Sequence, residues 1–158
     1  MNNRYNHQSI IARILDPLRP LLGDHFIRYK NHSARLFELS NHIHCGDLST
    51  DNVKILSIAC AFNSLHVWSK DTGTDYEKRV VPLIEFLANH NMIDRANEIC
   101  HLIGITGKYD QSPFDFCRLE ESFRKAYWTD ITMGTRTFRL SSSNYKRILK
   151  KYPSRGFH

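Results

Sequence analysis

Apolar residues recur at helical spacing through most of the chain. Ile10, Ile11, Ile14 and Leu15 trace one face of a first helix, which Pro17 and Pro20 stop or kink. A second apolar stretch runs through Leu21, Leu22, Phe26 and Ile27. Ser33 is placed to cap a further helix whose inner face is Leu36, Phe37, Leu39 and Ile43, with Gly46 at its end. The clearest helical pattern covers residues 50–70: Thr50 or Asp51 caps it, and Val53, Leu56, Ala59, Cys60, Phe62, Leu65 and Trp68 share its face. Two more helices, over 75–90 and 92–103, read as an antiparallel hairpin, and Pro82 demands a kink or a later start in the first of them. Ser112-Pro113 starts another, carrying Phe116, Leu119, Phe123 and Tyr127.

After Trp128 the period changes. Residues 129–140 alternate and are rich in β-branched and aromatic types, which predicts a strand broken at Gly134. Phe138 and Leu140 then face a core, while Thr135, Thr137 and Arg139 face outwards. Ser141, Ser142 and Ser143 form a cluster of helix-capping residues. Tyr145, Ile148, Leu149 and Tyr152 follow at i, i+3, i+4 and i+7, a helix that Pro153 and Gly156 end. The fold expected is mainly α: a helical body over 1–128 and a basic strand–helix element over 129–158.

Charge sharpens this division. Seven of the 22 basic residues and none of the 16 acidic ones lie in 135–158, so the rest of the chain carries 15 against 16 and is nearly neutral. A strongly basic end on a neutral body points to an anionic partner for that end. With 41% hydrophobic and 24% charged residues, wholesale disorder is excluded for a chain of 158 residues. The four cysteines show no CxxC pair, which suits a reduced, cytoplasmic compartment. The first apolar stretch is interrupted by charges and prolines, so neither a signal peptide nor a membrane span is expected there. No glycine-rich phosphate loop, GxSxG elbow or HExxH pattern occurs, and the run His42-Ile43-His44-Cys45 lacks a second ligand cluster. The chain is therefore read as a non-enzyme, without catalytic residues, metal or cofactor.

The strand followed at once by a basic helix resembles the ribbon-helix-helix family of transcription factors, in the pattern Thr137-Phe138-Arg139-Leu140 leading into residues 141–152. A long helical body beside such an element is similar to regulators that activate transfer of conjugative plasmids. The resemblance implies a homodimer whose paired strands form a β-ribbon in the major groove of double-stranded DNA, an element of a size that the groove admits. Thr135, Thr137 and Arg139 would then read bases. Ser142 and Ser143 at the helix start, with Lys146, Arg147, Lys150 and Lys151, would hold phosphates. The function implied is a sequence-specific transcriptional regulator, with the transcription machinery as a further partner. Two rivals share the same residues: a nucleic-acid binder of the RNA or nucleoid type without sequence readout, and a helical adaptor whose basic tail is incidental.

Overall fold

The computed structural model describes residues 7–106 and 118–154. The chain opens with α1 (His7–Leu15), whose buried face is Ile11, Ile14 and Leu15. A 3-10 turn at Asp16–Leu18 containing Pro17 ends it, and the short α2 (Arg19–Leu22) follows. From Phe26 the chain runs without a proline or glycine into the 18-residue α3 (Phe26–Ile43). Ser33 was expected as a cap; it lies in the middle of this helix and is fully buried. Polar side chains are tolerated inside α3 where they find partners, as when Ser40 Oγ donates to the Leu36 carbonyl at 2.7 Å.

Helix α4 (Thr50–Phe62) is capped one residue earlier than expected, by Ser49 Oγ accepting from the Asn52 N–H at 3.1 Å. Its apolar pattern continues to Trp68, but the helix breaks at Asn63-Ser64, two residues that favour caps over helix interiors. The one-turn α5 (Leu65–Trp68) follows. A π-helical turn at Tyr76–Val80 leads into α6 (Val81–Asn89). Pro82 thus falls in the first turn of α6, where its missing N–H costs nothing. Helix α7 (Ala96–Ile105) packs on α4 and on α8 (Leu119–Ile131). The helix start expected at Ser112-Pro113 lies outside the described residues. The largest helix–helix contact is between α3 and α8. The main core gathers Leu15, Phe26, Leu36, Leu56, Phe62, Leu87, Ile99 and Phe123 from six helices.

The expected strand is not there. No strand occurs among the described residues, so the mainly α expectation holds and the β-strand and ribbon do not. Thr129 to Ile131 form the last turn of α8, and the β-branched residues that suggested a strand finish a helix instead. Thr129 Oγ1 donates to the Lys125 carbonyl (2.9 Å) and Thr132 Oγ1 to the Trp128 carbonyl (2.7 Å), so both hydroxyls serve carbonyls one turn back. The backbone then folds in tight turns, with Thr135 N–H on the Thr132 carbonyl (3.1 Å) and Leu140 N–H on that of Thr137 (2.8 Å). Met133, Gly134 and Phe138 have φ of 51°, 75° and 52°, a left-handed backbone that no strand contains. A Cβ at Gly134 would overlap the Tyr145 ring. Phe138 is half-buried beneath the Lys125 ammonium, 4.4 Å from its ring centre, while Leu140 reaches the core as expected. Thr135, Thr137 and Arg139 consequently share no strand face. Thr135 and Arg139 are exposed in the turn, and Thr137 is half-buried.

The last helix, α9 (Ser142–Lys151), forms as the spacing predicts. Its apolar stripe of Tyr145, Ile148 and Tyr152 meets Leu140, Ala34, Leu39 and Ile43 of α3 and Ala126 of α8 in a second core. Burial of each large apolar side chain there stabilises the docking by roughly 1.5–3 kcal/mol.

Candidate functional site

The stripe that buries one side of α9 dictates what the other side shows. Ser141 caps the helix by accepting from the Asn144 N–H at 3.1 Å. Ser142 and Ser143 occupy the exposed first turn, where backbone N–H groups have no acceptor within the helix and the dipole end is positive. Lys146, Arg147, Lys150 and Lys151 all stand exposed. They fall at i+3 and i+4 spacings, so their heads neighbour one another. Like charges at these spacings destabilise a helix by a few tenths of a kcal/mol per pair.

Neighbours offset only part of that repulsion. Lys151 Nζ donates to Glu38 Oε1 of α3 at 2.9 Å, and Arg147 donates weakly to His42 Nε2 (3.4 Å) and Asn144 Oδ1 (3.3 Å). Lys146 and Lys150 make no ion pair among the described residues. The structure thus brings six of the sequence-predicted residues onto one helix: Ser142, Ser143, Lys146, Arg147, Lys150 and Lys151. Thr135, Thr137 and Arg139 belong to the turn before it.

Beneath α9 lies a buried ionic centre that the sequence did not disclose. His32 and Arg35, one turn apart on α3, both meet Asp130 at the end of α8. Asp130 accepts from His32 Nδ1 at 2.8 Å, from Arg35 Nε at 2.7 Å and from Arg35 NH2 at 3.2 Å. Side-chain exposure of these three residues is 1% or less. Burial would raise the Asp130 carboxyl, but the hydrogen bond and charge of His32, with those of Arg35, outweigh it and hold the group down at about 2. The remaining arm of Arg35, NH1, donates to the Tyr152 carbonyl at 2.9 Å, so this guanidinium fastens the end of the basic helix to α3 and α8.

The network continues outward. On its other side, His32 Nε2 lies 3.3 Å from the Ser64 hydroxyl, within hydrogen-bond distance. Asn63 Nδ2 donates to Ser64 Oγ (3.2 Å), and Thr106 Oγ1 donates to Asn63 Oδ1 (3.1 Å). Ser64, His32 and Asp130 therefore follow the bonding order of a nucleophilic triad. Here both carboxylate oxygens are shared with the Arg35 fork and Ser64 is only 8% exposed, a geometry that suits fastening. The signal that could have found it is a polar stripe on a buried helical face: His32 and Arg35 sit among residues flanked by Tyr29, Leu36 and Leu39.

The remaining candidates disperse. His42 is exposed, His44 Nδ1 pairs with Ser122 Oγ at 3.1 Å, and Cys45 is disulfide-bonded, whereas the cysteine spacing led us to expect reduced thiols. Cys60 and Cys100 are free thiols. Among the described residues no group of three His, Cys, Asp or Glu side chains could hold a metal ion, and no helix is long and apolar enough to cross a membrane. No family model, curated protein or solved structure matches the chain.

Proposed function

We propose that the protein binds double-stranded DNA, with α9 as the contacting element. The observation that carries this reading is the exposed basic face of α9, set on a chain segment without an acidic residue and docked rigidly by the apolar stripe opposite. Lys146, Arg147 and Lys150 contact phosphates, and the N–H groups at Ser142 and Ser143 add an anion-binding helix end. A helix 10–12 Å across fits the major groove, about 12 Å wide, so base reading in this proposal belongs to α9 and the exposed Arg139 beside it. A role as a transcriptional regulator is part of the same proposal. The homodimer was inferred from strand pairing and has no part in it.

A labelled duplex titrated at 0.15 M salt tests the reading. Counterion release at that salt is worth about 1 kcal/mol per phosphate contact, so Lys146→Ala/Lys150→Ala should weaken binding roughly thirtyfold on unrelated duplexes alike. Wild-type protein that leaves the duplex free, or a double variant that binds undiminished, would remove α9 from the interface.

A further inference from the structure

The charged surface around α9 continues onto a second helix. The last turn of α3 runs beside α9, and there His42 is exposed and meets two groups of opposite charge. Its Nε2 lies 3.4 Å from Arg147 NH2 on α9 and 3.9 Å from Glu38 Oε2, one turn back on α3. Glu38 is itself held from α9, its Oε1 accepting from Lys151 Nζ at 2.9 Å and from the Tyr152 hydroxyl at 3.4 Å. On the side of α8 it is His44, two residues on, that finds a partner, in Ser122. Among the described residues, Arg147 and Glu38 are therefore the charged groups that face His42.

One atom thus stands between a guanidinium, which can only donate, and a carboxylate, which can only accept. Without a proton, Nε2 can accept from Arg147 and has nothing to offer Glu38. With a proton it can donate to Glu38, but a cation then stands beside the Arg147 cation. Residues 135–158 hold no acidic group to relieve that repulsion. A phosphate oxygen seated on Arg147 reverses the balance. It draws the guanidinium off Nε2 and sets a negative charge next to the ring, and both changes favour the imidazolium.

We propose that His42 is a further phosphate-contact residue of the α9 face and joins the contact in its protonated form. Binding of a duplex then takes up a proton at His42, and α3 adds a positive charge to the face. This role rests on the DNA reading of α9 and extends the interface to a helix outside the basic end.

Titration of a labelled duplex at about 0.15 M salt, near pH 8 and near pH 5.5, brackets the range in which imidazoles change charge. One added phosphate contact should tighten wild-type binding about fivefold at the lower pH and steepen the salt slope by about 0.9. His42→Gln, at an exposed position and with an acceptor kept for Arg147, should match wild type at the higher pH and lose the gain at the lower one. Lys146→Ala/Lys150→Ala should bind more weakly at both and keep the gain. A wild-type affinity that changes less than about twofold, or a gain undiminished in His42→Gln, would overturn the role of His42 while duplex binding itself stands. A duplex left free at both pH values would remove the DNA reading and this role with it.

Discussion

Replacing Asp130 by asparagine should unfasten the C-terminal helix. The native carboxylate accepts three hydrogen bonds from two residues that are themselves buried. An asparagine keeps the shape but supplies one oxygen, and its Nδ2 must face the N–H of either His32 or Arg35. One donor then confronts another, and the Arg35 guanidinium is left buried without a counter-charge. Breaking a buried pair in this way costs about 3–5 kcal/mol, which for a chain of this size lowers Tm by roughly 6–20 °C. Because Arg35 NH1 also holds the Tyr152 carbonyl, amide exchange should rise first in α9 and only later in α4. The pH dependence follows from a carboxyl held at about 2 against an ordinary 3.8. Its contribution, roughly 2 kcal/mol, is complete above pH 4 and is lost as pH falls through 2. The gap between wild type and Asp130→Asn should therefore narrow, by up to roughly 2 kcal/mol, as pH falls from 4 through 2. Urea denaturation at pH 7 showing a loss below 1 kcal/mol, with unchanged exchange in α9, would refute the fastening role.

Gly134→Ala should destabilise the protein by at least about 1 kcal/mol in urea denaturation, since it meets both a left-handed backbone and the Tyr145 ring; a neutral result would mean that this turn is not the one described. Among the described cysteines Cys60 and Cys100 are free and Cys45 is disulfide-bonded, so unfolded protein kept from reductant should titrate fewer thiols than its four cysteines, and four would contradict the disulfide at Cys45.

The helices were legible wherever a buried face keeps one period for several turns. Tyr145, Ile148, Leu149 and Tyr152 gave α9 because nothing competes with that spacing. Residues 129–140 misled because threonine serves two masters: the β-branch that favours strands also places a hydroxyl where it can bond a carbonyl one turn back. The left-handed backbones of Met133 and Phe138 carry no sequence signal, since neither is the glycine or asparagine such positions favour. Serine produced the same ambiguity at Ser33, which looked like a cap and is a helix interior. The basic face of α9 could be read from charge alone. Of the centre around Asp130 only the polar stripe of His32 and Arg35 left a trace; its pairing with Asp130 did not, because the partners are 95 and 98 residues apart and only the packing of α3 on α8 brings them together.

The most direct measurement is the salt dependence of duplex binding. If Lys146, Arg147 and Lys150 each neutralise a phosphate, the logarithm of the binding constant should fall with the logarithm of salt concentration with a slope of about −2.7 or steeper. In Lys146→Ala/Lys150→Ala the slope should become shallower by about 1.8. A wild-type slope near zero, or one that the double substitution leaves unchanged, would contradict a DNA interface on α9.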